Sequence, residues 1–357
     1  MANGPRLRPE LADIPLYKAG QGPVTRDDLE TFKLSSNENP YPPLPQVREV
    51  IANAGALINR YPDPSSNALL EAIAKYHSVP VEHVAVGTGA VALCYQVAHS
   101  TAGPGDEVLF AWRSFEAYPI VSRVAGATPV TVELTADGQH DLTAMARAIT
   151  PRTRLIFVCS PNNPTGTTVS AQQFADFMTW VPDDVLVVLD EAYAEFDVDA
   201  DSVNGIQAYA RYRNVAVLRT FSKAYGLAGL RVGYAIAHEP VVEALRKTAL
   251  PFGVSNIAQA AAAASLADDA ELLERVAALV AERARITTAL RANGWDVADS
   301  QANFVWLATQ DRTEQFALAC DAAGLTVRAF PGEGVRVTIG ETAANDRFVE
   351  VAAAFQG

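Results

Sequence analysis

Lysine is the scarcest charged residue in this chain. Only five of the 28 basic residues are lysine (Lys18, Lys33, Lys75, Lys223 and Lys247). A protein that uses arginine for ordinary surface charge keeps lysine where arginine cannot serve. Desolvated lysine can lose its proton and attack a carbonyl, whereas arginine stays protonated. Cysteine is also sparse: Cys94, Cys159 and Cys320 are widely separated and form no C-x-x-C. Five scattered histidines show no metal-ligand spacing. Neither a disulfide framework nor a metal site is expected. Basic charge is outweighed, with a formal net charge of −13. That balance argues against nucleic acid or an anionic membrane as the main partner. No stretch approaches the ~18 consecutive apolar residues of a membrane span. The opening "MANGPRLRPELADIP" has no apolar targeting segment. A cytoplasmic protein is the expectation.

What is present is alternation. The runs "HVAVGTG" (83–89), "DEVLFAW" (106–112), "TPVTVEL" (128–134), "RLIFVCS" (154–160), "DVLVVLDEAY" (184–193), "NVAVLRTFS" (214–222) and "VGYAIA" (232–237) read as buried strands between helical patterns. Their nearly unbroken apolar character suits a sheet covered on both faces, and strand–helix alternation predicts a mostly parallel one. Residues 258–290 are Ala-rich and amphipathic and read as one helix. Beyond it "NFVWLAT", "GLTVRAF" and "GVRVTIG" read as short strands of a small α+β domain with one closing helix. The organisation expected is an arm over 1–35, which includes part of the small domain, a large domain over 36–255 and a small domain over 256–357.

Ligands of open parallel sheets bind beyond the carboxyl ends of the strands. Four strands there deliver "GTGA", "SPNNPTG", "DEAY" and "TFSK". The first matches G-x-G-x-x-A over Gly87–Ala92, a dinucleotide fingerprint. That reading requires an acidic residue at the end of the next strand, which instead runs "LFAWRS". What survives is a glycine turn that lets backbone N–H groups at a helix N-terminus approach a phosphate. A phosphate cradle, a strand-end Asp, a nearby Tyr, an Asn-Pro turn and a strand-end Lys together suit pyridoxal phosphate (PLP). Lysine forms an imine with its aldehyde, and an aspartate keeps its ring nitrogen protonated.

The stretches "KLSSNENPYPPLP", "NRYPDPSS", "VGTGAVAL", "FVCSPNNPTG", "VLDEAYAEF", "RTFSKAYGLAGLRVGY" and "GVRVTIG" resemble, in order and spacing, the fold-type I PLP-dependent aminotransferases. The similarity is to the branch of histidinol-phosphate and actinobacterial aromatic (phenylalanine) aminotransferases. It implies an α/β fold with a mostly parallel seven-stranded sheet flanked by helices, plus a small α+β domain. It implies that Lys223 binds the cofactor aldehyde and moves the substrate's α-proton. Asp190 would pair with the ring nitrogen, and Tyr193 and Asn163 would hold the phenolic oxygen. Asn162 would form the turn. Ala90 and Val91 would offer backbone N–H groups to the phosphate, joined by Thr220, Ser222 and Arg231. Tyr61 would reach the phosphate of the neighbouring subunit of a homodimer, and the arm around Tyr17 resembles a segment that reaches the partner as well. Arg336 would clamp the substrate's anionic group, helped by Arg328 and Tyr17.

One departure bears on substrate. The segment over the cofactor ring reads "AWRSFEAYP", with Phe115 where histidinol-phosphate aminotransferases commonly carry tyrosine. Phenylalanine stacks but has no hydroxyl. The flanking "WRSFE-x-YP" and "SQANFVWL" resemble the actinobacterial aromatic branch, and that resemblance implies transfer between aromatic amino acids and 2-oxoglutarate, with histidinol phosphate as the alternative substrate.

Overall fold

The computed structural model describes residues 4–356 apart from 6, 24, 25, 27, 268 and 269. After the arm come β1 Phe32–Lys33, α1 Pro45–Gly55 and α2 Asn67–His77. Strands and helices then alternate: β2 Val84–Gly87, α3 Ala90–Thr101, β3 Glu107–Trp112, α4 Ala117–Ala125, β4 Thr128–Glu133, α5 Leu142–Arg147, β5 Thr153–Cys159, α6 Ala171–Met178, β6 Leu186–Asp190, α7 Gly205–Arg211, β7 Val215–Thr220, β8 Gly233–Ile236 and α8 Glu239–Thr248. The remainder holds α9 Asn256–Ala267, α10 Ala270–Ala292, β9 Phe304–Leu307, α11 Thr313–Ala322, β10 Leu325–Thr326, β11 Arg328–Phe330, β12 Gly334–Thr338 and α12 Thr342–Gln356.

The seven strands expected from the sequence form one sheet in the order β2-β8-β7-β6-β5-β3-β4. Neighbours run parallel except at β8, which is antiparallel to both β2 and β7. Alternate residues of a strand point to opposite faces. Val108, Phe110, Phe157 and Val188 therefore pack under α3, α4 and α8. Leu109, Ile156, Val158 and Val187 pack under α5, α6 and α7. Double coverage explains the unbroken apolar runs. Each such side chain contributes roughly 1.5–3 kcal/mol when fully buried.

The reversal at β8 positions the site. Parallel strands need a crossover of a dozen or more residues, usually a helix, whereas antiparallel strands can be joined by a loop. The segment 221–232 leaves the carboxyl end of β7 and turns back into β8 at the same sheet edge. Lys223 and Arg231, at the two ends of that return, thus arrive on the side where β2, β5 and β6 also end.

The C-terminal third differs from the sequence expectation in three respects. The Ala-rich segment is two helices, α9 and α10, and positions 268–269 between them lie outside the described residues. Helix α11 is not among the expected elements; it runs between β9 and β10, while β9 and β11 lie on either side of β12 and are antiparallel to it. "GLTVRAF" divides between two sheets: β10 pairs with β1, and β11 pairs with β12. The pairing of β1 with β10 ties the end of the arm to this part of the chain.

Candidate active site

The strand ends enclose a cavity of about 320 Å³. Every site residue singled out from the sequence lines it except Tyr61. Tyr61 is 82% exposed and packs against Phe252, ring centroids 4.7 Å apart, in a separate surface hollow. Tyr17 borders this cavity, beside Arg336 and Arg328.

At one end, Gly89 adopts φ +84° and ψ 163°, a conformation essentially reserved for glycine. A Cβ there would sit 2.5 Å from Arg231 Nη2. The guanidinium thus lies across the turn that opens α3. Arg231 Nη1 donates to Ser222 Oγ at 3.3 Å and to Ala228 O at 2.9 Å. Thr220 Oγ1 accepts from the Ser222 N–H at 3.1 Å. Gly233 lets β8 pass close to the helix start: its Cβ would meet Ala90 N at 2.7 Å. A helix N-terminus, a serine hydroxyl and a guanidinium converge here, a donor set suited to a phosphate.

In the centre, Lys223 Nζ donates to Ser36 O at 3.0 Å and lies 5.8 Å from the Tyr193 ring centroid. Burial, and then the charge of Arg336, lower its pKa from 10.5 to about 7. Asp190 is buried; its Oδ2 accepts from the Tyr118 hydroxyl at 2.7 Å and its Oδ1 from the Ala192 N–H at 3.3 Å. Burial outweighs both bonds and raises its pKa to about 6. A cationic ring nitrogen beside it would offset that burial. Tyr193 Oη accepts from Asn37 Nδ2 at 2.9 Å, and burial pushes its pKa up.

At the far end, Arg336 is 8% exposed. It donates from Nη1 to Asn163 Oδ1 at 2.5 Å and from Nη2 to Ser35 O at 2.7 Å. Its Nε meets no partner among the described residues. Buried donors are normally satisfied, so the unpaired Nε sets this arginine apart, and its side chain lines the cavity. Arg328 pairs with Glu116, Nη2 to Oε2 at 2.7 Å. Asn162 is buried and knits its turn together, its Oδ1 accepting from Ser114 Oγ at 2.7 Å.

Sequence reasoning missed Tyr118, Asn37, Ser36 and Glu116. Tyr118 follows Phe115 by three positions, and its ring stacks on Phe157 at 4.3 Å. A buried tyrosine needs a hydroxyl partner, but nothing in the local sequence names Asp190. Asn37 and Ser36 lie in "SSNENP", whose polarity reads as a loop.

The donors and acceptors present fit PLP: a phosphate cradle at Gly89–Ala90, Ser222 and Arg231, a buried carboxylate at Asp190, hydrogen-bonding groups at Asn163 and Tyr193, and a lysine of depressed pKa.

Comparison with known proteins agrees with this geometry. The chain is 59% identical to the aromatic amino acid aminotransferase of Streptomyces coelicolor over 352 residues, 99% of this chain and 98% of that protein. It is 55% identical to the protein of the same name from Thermobifida fusca, over 98% of this chain and 96% of that protein. Among solved structures, the histidinol-phosphate aminotransferase of Sinorhizobium meliloti, in complex with pyridoxal-5'-phosphate, superposes with a TM-score of 0.87 at 27% identity, covering 99% of both chains. Residues 30–351 match the family described as aminotransferase class I and II. By sequence match, by fold and by the groups gathered at its strand ends, the chain belongs to the class I and II aminotransferases.

Proposed function

We propose that this protein is an aromatic amino acid aminotransferase. It transfers the amino group between phenylalanine-type amino acids and 2-oxoglutarate with PLP as cofactor. The observation that carries this reading is the joint placement of Lys223, Asp190 and Arg336 in one cavity: a lysine with pKa about 7, a buried carboxylate and a buried arginine with an unpaired Nε. The name shared by the relatives at 59% and 55% identity supports the substrate class.

The cofactor supplies an electron sink for the bond being broken at the substrate's α-carbon. The chain's own residues do the rest. Ser222, Arg231 and the N–H groups of Ala90 and Val91 hold the phosphate, with Thr220 bracing Ser222. Asp190 keeps the ring nitrogen protonated. Tyr193 and Asn163 would orient the ring, and Phe115 would cover it. Lys223 Nζ would take the substrate's α-proton and hold it for return. A base is most effective when its pKa lies near the working pH, and burial brings Lys223 there. Arg336 orients the α-carboxylate, with Tyr17 and Arg328 at its rim.

The working unit is a homodimer in the cytoplasm, with Tyr61 serving the partner's phosphate site. Ile58, Tyr61 and Phe252, exposed by 73%, 82% and 43%, line one surface hollow suited to a second copy. Residues 36–255 act as the cofactor domain, 256–357 as the small domain, and 1–35 as an arm. Turnover of phenylalanine with 2-oxoglutarate by PLP-loaded protein tests the reading; no transfer with any aromatic donor overturns it. Histidinol phosphate is the competing substrate, favoured by the adjacency of Arg328 and Arg336.

A further inference from the structure

Arg328 and Arg336 are register partners where β11 pairs with β12, and both line the cavity. Directly opposed side chains on antiparallel strands have Cβ atoms ~4.5–5.5 Å apart, and like charges there repel. Their surroundings resolve the conflict unequally. Arg336 hydrogen-bonds only neutral groups, Asn163 Oδ1 and Ser35 O. Arg328 meets a carboxylate, Glu116, and also donates from Nη1 to Ala19 O at 3.4 Å. Glu116 directly follows Phe115 and lines the same cavity. The backbone segments carrying the pair are tied by a second bridge, Arg113 Nε to Glu333 Oε2 at 2.7 Å. Exchange of partners is therefore a matter of side chains. The Glu116 side chain keeps 28% exposure and Arg328 13%, so the carboxylate can be hydrated when its partner leaves.

We propose that Glu116 is a specificity-determining counter-ion: it neutralises Arg328 while an uncharged ring fills the cavity, and releases Arg328 to the second carboxylate of a dicarboxylic substrate. This rests on the proposed transfer between aromatic and dicarboxylic partners and explains how one cavity serves both. An arginine facing an apolar ring without a counter-ion is costly in a partly buried site. A carboxylate entering the site offers the planar fork a bidentate partner.

The test compares PLP-loaded wild type, Glu116→Gln and Glu116→Asp. Calorimetry gives dissociation constants for 3-phenylpropanoate, with one carboxylate and a ring, and glutarate, with two. Steady-state rates give KM and kcat for phenylalanine and 2-oxoglutarate. In Glu116→Gln, the affinity ratio of glutarate over 3-phenylpropanoate should rise about tenfold or more, a change of ~1.4 kcal/mol. KM for 2-oxoglutarate should fall with little change in kcat. Glu116→Asp keeps the charge and should keep the wild-type ratio. Arg328→Gln should make Glu116→Gln silent. An unchanged ratio, or equal weakening of both ligands, overturns the role of Glu116 and leaves the aromatic assignment standing. A wild type that prefers imidazole-acetol phosphate to phenylpyruvate overturns that assignment, while the glutarate shift still decides the role of Glu116.

Discussion

Tyr118 donates its hydroxyl to Asp190 Oδ2 at 2.7 Å across 72 residues of sequence. This bond and the Ala192 N–H favour the ionised carboxylate, while burial disfavours it. Replacing Tyr118 by Phe removes a hydrogen bond to a charged group, worth roughly 1.5–3 kcal/mol. The loss should be largest above about pH 6, where Asp190 is ionised in the fold, and smaller below it. Urea unfolding of the cofactor-free variant at pH 5 and pH 8 checks this; equal destabilisation at both would mean that the bond does not serve the charge. Asp190→Asn should retain PLP yet lose kcat by ~10²-fold or more, as for other lost electrostatic stabilisers.

Lys223 gives a second pH signature. Its folded pKa, about 7, lies below the ordinary 10.5. Between these values the unfolded chain binds the extra proton, so its contribution to stability rises with pH across that window. The cost of the buried cation is complete below about pH 7 and absent above about 10.5. In cofactor-free protein, Lys223→Ala should therefore gain on wild type as pH falls from 10.5 to 7, then level off. The same variant should abolish transamination. Near wild-type turnover from it would remove Lys223 from the chemistry.

Arg336 is buried, lines the cavity and carries an unpaired Nε. Removing one partner of a buried charge-assisted pair typically costs ~2–5 kcal/mol. Arg336→Ala should lower kcat/KM by roughly 30- to several-thousand-fold, at ~1.4 kcal/mol per decade. Steady-state kinetics with phenylalanine measure this. A loss under about threefold would place the α-carboxylate elsewhere.

Sedimentation should find a dimer. Mixing inactive Lys223→Ala with an inactive Tyr61 variant should restore activity in the heterodimer, because one composite site regains both groups. A fully active monomer would contradict the shared site.

Much of the fold was legible because its signals are local. A doubly covered strand writes itself as an unbroken apolar run, and the polar clusters at strand ends place the site. Lys223, Asp190 and Asn163 sit in such clusters, whereas Arg231 is reached through the family resemblance. Tyr118 and Glu116 escaped because their meaning depends on partners 72 and 212 residues away. The division of "GLTVRAF" between two sheets escaped for a related reason. A single extended run carries no mark of which neighbour each half will pair with, and the choice is made by β1 and β12.

The most direct test of the central claim is a comparison of two keto acids with glutamate as donor. Phe115 brings no hydroxyl to the cavity, and Glu116 leaves Arg328 without free positive charge. Both features favour a ring over a phosphate-bearing imidazole chain. Wild-type protein should process phenylpyruvate at least ~10-fold more efficiently than imidazole-acetol phosphate in kcat/KM, about 1.4 kcal/mol of transition-state discrimination. The reverse ranking would contradict the aromatic assignment and establish histidinol phosphate as the substrate.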